Sequence, residues 1–246
     1  MTASRRVLSL ATVSVGLLLT SAISAPVAVY ADVVATPPGQ VSTVTASIAM
    51  DNSWQFVDAE CLFIPVLTTF GRADDTSVLG ETTVTKPGSD ATLNEGTFLV
   101  LPGDPVAGEL LDEIFVCPAD GTGEYRLDTT IRAINPDSEE SFALAPLTFW
   151  VRPATTTIDG FVARVTKGGI RVSGATRAGE GVATGIVEIR YRLPGTSRWR
   201  LATSAPLEEG SFSALVEADL PARTRYRATV TRCSWCSRAS ARTTAS

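Results

Sequence analysis

Polar and apolar residues alternate with a period of two through much of this chain. Between Val41 and Met50, Val44, Ala46, Ile48 and Met50 interleave with Thr43, Thr45, Ser47 and Ala49. That pattern predicts a half-buried strand. Cys61–Thr69 is an apolar run rich in β-formers, and Pro65 within it predicts an edge or bulged strand. Gly80–Thr85, Gly96–Leu101 and Leu110–Cys117 are further strands, each bounded by Gly, Pro, Asp or Asn. The stretch Glu109–Val116 fits a helical turn equally well. In Glu124–Ile134, Tyr125, Leu127, Thr129, Ile131 and Ala133 share one face. Phe142–Val151 closes the set. Short strands with turn signals about every ten residues predict a β-sandwich.

The alternation stops at Arg152-Pro153-Ala154-Thr155-Thr156-Thr157 and then resumes. Ile158–Val165 and Gly169–Val172 read as strands, and Gly174–Gly185 as a Gly-rich connection. Ile186–Arg192 alternates again. Pro194-Gly195 then turns the chain into Arg198-Trp199-Arg200-Leu201, which predicts a hairpin. Ser211–Val216, Tyr226–Thr231 and Ser237–Thr243 follow. The expected layout is a leading segment 1–31, an acidic sandwich 32–153, a linker 154–157 and a basic sandwich 158–246. The fold class is all-β, with two consecutive sandwiches.

Two groups of residues carry a family resemblance. Gly121-Thr122-Gly123-Glu124-Tyr125 resembles the loop and tyrosine that open the penultimate strand of immunoglobulin-like and fibronectin-like domains. The resemblance implies a tyrosine corner, in which the hydroxyl ties back onto the preceding loop. A buried tyrosine without that bond is the alternative. In the second region the matching features are Val187-Glu188-Ile189-Arg190-Tyr191-Arg192, Trp199 after its Pro-Gly turn, Gly210-Ser211-Phe212-Ser213-Ala214 and Tyr226-Arg227-Ala228-Thr229-Val230. Together they resemble the fibronectin-like modules of secreted actinobacterial proteins. Such modules are spacers or binding domains, so the resemblance implies a non-enzymatic role. Trp199 is expected to pack in the core, with a surface sugar-stacking role as the alternative. Arg225-Tyr226-Arg227-Ala228 echoes Glu124-Tyr125-Arg126-Leu127, as a device common to both sandwiches.

Arg5 and Arg6, the apolar stretch from Val7 to Ile23, and Val29-Tyr30-Ala31 follow the pattern of a cleaved secretory signal. A secreted, extracellular protein is therefore expected, with no membrane segment after cleavage. In that compartment Cys61 and Cys117 are expected to form a disulfide, with two buried free thiols as the alternative. Cys233-Ser234-Trp235-Cys236 has three readings. A redox site needs a helix N-terminus, and a zinc site needs further ligands. A disulfide across a hairpin tip needs neither, and would either present Trp235 at a rigid, exposed apex as a contact residue or leave it folded back onto the domain.

The 246 residues contain no histidine, which excludes catalytic systems that use imidazole as base and zinc sites built on histidine. No cofactor or metal is expected. Asp74-Asp75 and Asp112-Glu113 lack the spacing of a calcium loop. Glu139-Glu140 and Glu208-Glu209 are adjacent pairs, not carboxylates facing across a substrate.

Charge separates the two regions. Residues 32–153 hold 19 acidic and 5 basic side chains, a net of −14. Residues 154–246 hold 7 acidic and 14 basic, a net of +7. Arg190, Arg192, Arg198 and Arg200 fall on one predicted hairpin, mainly at outward positions. They suit an anionic cell-wall polymer, another surface protein or the acidic first domain, with a solvated arginine-rich face that binds nothing as the alternative. Nucleic acid is not expected, because no aromatics interleave on that face. A non-enzymatic binding or structural module at the cell surface is the expected function. An extracellular hydrolase using carboxylates, and an inhibitor or effector presenting the Cys233–Cys236 loop, are the alternatives.

Overall fold

The computed structural model describes residues 33–89, 91–216 and 220–245. The expected secretory segment 1–31 lies outside the described residues.

Before the junction, strand pairing builds two sheets. The first has the order β1 (Val33–Ala35), β3 (Val44–Asp51), β5 (Leu62–Arg72), β8 (Ala107–Val116), with β2 (Gly39–Gln40) also on β3. The second runs β4 (Ser53–Gln55), β11 (Leu147–Arg152), β9 (Gly123–Ile134), β6 (Ser77–Thr85), β7 (Thr92–Val100), with β10 (Glu139–Ala143) also on β9. After the junction a three-stranded sheet runs β12 (Thr156–Thr166), β13 (Gly169–Ala178), β16 (Ser211–Val216). A four-stranded sheet runs β15 (Arg200–Pro206), β14 (Ile186–Arg192), β17 (Arg225–Thr231), β18 (Ser240–Thr244).

The same winding occurs twice. With the short strands β1, β2, β4 and β10 set aside, each half has seven strands. Strands one, two and five form one sheet, and strands four, three, six and seven the other. This is an immunoglobulin/fibronectin-like arrangement of paired antiparallel sheets. Alternation places the cores. In β9, Tyr125, Leu127, Thr129, Ile131 and Ala133 are all buried, as their period of two predicts. In β17 the core side holds Tyr226, Ala228 and Val230.

Several strand expectations need correction. The 109–116 stretch is strand, not helical turn. Phe142–Val151 is split between β10 and β11 by the loop around Pro146. β5 is an inner strand, paired with both β3 and β8. Pro65 is tolerated there because the β3 ladder ends at Leu67, so only β8 pairs beside it. β13 continues through Gly174 to Ala178 where a connection was expected. Gly174 lies opposite Phe212, and a Cβ there would stand 2.9 Å from the Phe212 ring, so this glycine makes room for an aromatic.

The tyrosine corner is present: Tyr125 Oη donates to Gly121 O at 2.6 Å and approaches Asp120 O at 3.1 Å. Lys86 Nζ closes the same loop by donating to Asp120 O and Thr122 O. Tyr226 takes the equivalent strand position, but its buried hydroxyl has no hydrogen-bond partner. Cys61 and Cys117 are bonded. They sit just beyond the paired ends Leu62 and Val116 of adjacent strands, so this bridge lies within one sheet.

Ala31–Ser246 packs as one compact unit. The junction within it is pinned from both sides. Ala154 N donates to Trp235 O at 2.9 Å, and Ser237 N donates to Ala154 O at 2.8 Å. Gly179 N donates to Thr155 O, and Glu180 N donates to Val57 O at 2.7 Å. Gln55 Nε2 donates to Pro153 O. Gly179 has φ +54° and packs so closely on Val57 O that a side chain there would collide with it. Four of these bonds hold the junction segment itself, and the fifth ties Glu180 to Val57 beside it.

Candidate functional site

The outer face of the four-stranded sheet after the junction is the strongest candidate. β14, β15, β17 and β18 contain six arginines and one carboxylate, Glu188. In β14, Val187 and Ile189 point into the core, which sends Glu188, Arg190 and Arg192 to the opposite face. In β17, buried Tyr226 and Ala228 leave Arg225 and Arg227 outward. Register assembles these into two rows across the strands. Arg190 lies opposite Arg227, which lies opposite Arg242. Arg192 lies opposite Arg225, which lies opposite Thr244.

Trp199 organises this face. The turn closed by Thr196 N donating to Leu193 O returns the chain so that the indole sits among the arginines. The guanidinium carbons of Arg227, Arg192 and Arg242 lie 4.8, 5.1 and 6.0 Å from its ring centroid. The expectation that Trp199 packs in the core is therefore corrected. It is a half-buried platform under three cations, because core positions on β14 and β17 are already filled by Val187, Ile189, Tyr226 and Ala228.

Each cation–π contact contributes about 0.5–2 kcal/mol. Two guanidinium charges ~7 Å apart repel by about 0.6 kcal/mol in water and about 2.4 kcal/mol at an effective dielectric of 20. Attraction to the ring and mutual repulsion are thus of similar size, and the cluster gains little without a counter-charge. Arg227 is the most strained member. Its Nε is buried with no hydrogen-bond partner, and its pKa is pushed down, first by burial and then by Arg190, Arg242 and Arg238. The single acid on the face, Glu188, is taken up by Arg190 at 3.0 Å.

Of the four arginines singled out by sequence, Arg190 and Arg192 belong to these rows. Arg198 is exposed in the preceding loop. A register shift between Ile189 and Arg190 sets exposed Arg200 opposite Tyr191, outside either row. Arg225, Arg227 and Arg242 were missed. Their signal was the same alternation in Arg225-Tyr226-Arg227, which sequence reading used only for the tyrosine. Three clefts border the face. One of about 600 Å³ is lined by Arg192, Arg223, Arg225 and Thr244 among others. A second of about 230 Å³ includes Arg242, and a third of about 390 Å³ runs from Glu188 and Arg190 to Arg238.

The Cys233–Cys236 loop takes the folded-back form and not the exposed-apex form. The disulfide forms, but Trp235 is only 2% exposed. Its indole Nε1 donates to Thr184 Oγ1 at 3.3 Å, and its carbonyl accepts from Ala154. Trp235 is a packing residue at the junction, not an exposed apex, because the loop turns inward to pair with the linker (Ala154 and Cys236 form a parallel bridge). A second surface went unread in the sequence. Phe63 and Phe115 pair across β5 and β8 with ring centroids 6.4 Å apart, and Leu111 nearby is 72% exposed. Among the described residues no group of three or more metal-ligating side chains converges.

No family model matches this chain, and no curated protein matches it. Solved structures that match include the two tandem V-type regions of VCBP3, a v-region-containing chitin binding protein. That match has 9% identity over 83% of this chain and 99% of the other, with a TM-score of 0.28. The FN1–FN3 domains of chicken CNTN1 match with 10% identity over 82% of this chain and 77% of the other, with a TM-score of 0.28.

Proposed function

We propose that this chain is a secreted, non-enzymatic binding module. Its two sandwiches, 32–153 and 158–246, serve as an acidic support and a basic binding head. One observation carries the reading: five outward arginines on three adjacent strands share a face with one carboxylate, and three of them crowd a single indole. Such a face favours an anionic partner at the cell surface. The two disulfides suit an oxidising compartment. The pinned junction suits a protein that holds its binding face at a fixed angle. The clefts beside the face are lined by arginines, with Glu188 already bonded to Arg190, and this favours binding over carboxylate-based hydrolysis.

Co-sedimentation with a bacterial cell-envelope fraction tests the proposal. Wild type is expected to pellet at low salt and to be released as salt rises. Arg225→Gln/Arg227→Gln/Arg242→Gln is expected to stay in the supernatant while keeping the wild-type circular dichroism spectrum. Equal pelleting of the folded triple variant would refute the assignment of this face.

A further inference from the structure

The arginine lattice has a defined spacing, and cations crowd its aromatic. Neighbouring strands lie about 4.8 Å apart, and residues two apart along a strand about 6.8 Å. Arg190, Arg227 and Arg242 therefore form a row spanning ~10 Å across the sheet, with Arg192 and Arg225 as a parallel row ~7 Å away. The clefts lined by Arg192, Arg225 and Arg242 extend this track past the end of the strands. A small monovalent anion would meet two or three of these groups at most. A chain of anions would meet all five.

The position of Trp199 narrows the chemistry further. Sugar rings and nucleobases are held by stacking on open aromatic faces. Here the guanidinium carbons of Arg192, Arg227 and Arg242 lie within 6.0 Å of the indole centroid, so Trp199 positions cations, and a stacking ring would compete with them for its surface. Recognition must come from the charges of the polymer backbone. Arginine suits this, because its fixed fork of donors matches phosphate oxygens.

Building on the binding role proposed for this face, we infer that its ligand is a linear polymer with phosphates along its backbone. The polymer lies across β14, β17 and β18 and is read by its phosphates alone. Trp199 acts as a positioning residue. The acidic sandwich of a second copy is the competing occupant of an arginine face.

Isothermal titration of the full chain with long-chain inorganic polyphosphate, which has neither sugar nor base, tests this. Poly-L-glutamate and inorganic phosphate are the comparison titrants. Polyphosphate is expected to bind at least 100-fold more tightly than inorganic phosphate and at least 10-fold more tightly than poly-L-glutamate. The affinity should fall with salt with a log–log slope of about three, and each of Arg225→Gln and Arg242→Gln should lower that slope by about one unit. Trp199→Leu should weaken binding several-fold with the slope unchanged, because it removes no charge. Equal affinity for poly-L-glutamate, or none for polyphosphate, would overturn the phosphate-polymer assignment. If envelope binding still depended on the arginines, the broader proposal would survive that result. Concentration-dependent self-association abolished by Arg227→Gln would also overturn it, in favour of a second copy. Arg227→Lys, which keeps the charge without the fork, provides a folded control. It should retain the salt slope but lose several-fold in affinity.

Discussion

Replacing Trp235 by alanine separates a junction residue from a surface contact. Trp235 is 2% exposed, donates to Thr184 Oγ1, and carries the carbonyl that accepts from Ala154. Truncating a fully buried tryptophan costs about 3–5 kcal/mol, including the cavity left behind. The hydrogen bond adds less than about 1 kcal/mol, because Thr184 is exposed and water can replace the indole. Packing therefore dominates. Each kcal/mol shifts the midpoint of a cooperative unit of this size by about 2–4 °C, so Trp235→Ala should melt roughly 6–20 °C below wild type. Trp150 is 52% exposed, and Trp150→Ala should cost only about 1 kcal/mol. Differential scanning calorimetry on both variants is the assay. If Trp235→Ala melted within about 2 °C of wild type, the loop would not be packed against the linker, and the account of a pinned junction would be wrong.

Other outcomes follow from the same geometry. Removing the Cys61–Cys117 bridge, which spans 56 residues, should cost about 4 kcal/mol. Removing Cys233–Cys236, which spans 3, should cost about 2 kcal/mol, measurable by urea denaturation of paired Cys→Ser variants. Tyr125 and Tyr226 have their pKa values pushed up to about 12, in both cases mainly by burial. The folded state thus keeps a proton that the unfolded state gives up near pH 10. The stability this represents is complete below about pH 10 and is lost as pH rises toward 12. Tyrosinate absorbance should show a late component that Tyr125→Phe and Tyr226→Phe each reduce. The same two variants should differ in neutral-pH stability. Tyr125→Phe loses the bond to Gly121 O and should cost about 1 kcal/mol, whereas the Tyr226 hydroxyl has no partner and Tyr226→Phe should be close to neutral.

Local alternation was the part of the fold most open to sequence reading. Ile186–Arg192 and Ser211–Val216 have the bounds that their period of two sets. Gly121–Tyr125 led to the correct corner. Errors arose where a residue's usual meaning was reversed by a distant partner. Pro65 signals an edge, yet β5 is an inner strand whose second neighbour stops short of the proline. Gly174 signals a break, yet it accommodates Phe212 from another strand. Trp199, expected in the core, lies half-buried among arginines, and of the two readings for Trp235 the fold takes the folded-back one. No local pattern records that β14 and β17 already fill the core beside Trp199, or that Ala154 waits to pair with the loop holding Trp235. The arginine face was half legible for a related reason. Arg190 and Arg192 are close in sequence, but Arg227 and Arg242 join them only through strand pairing.

The central claim is that the arginine rows, and no other surface, meet an anionic partner. NMR of protein labelled with nitrogen-15 in arginine and tryptophan side chains, titrated with solubilised cell-envelope polymer, tests it most directly. Shifts should appear at Nε of Arg190, Arg192, Arg225, Arg227 and Arg242 and at the indole of Trp199, with the Trp235 signal unmoved. If the arginine signals stayed still while backbone amides around Phe63, Leu111 and Phe115 shifted, the binding face would be the exposed stripe on β5 and β8, and the account given for the arginines would be contradicted.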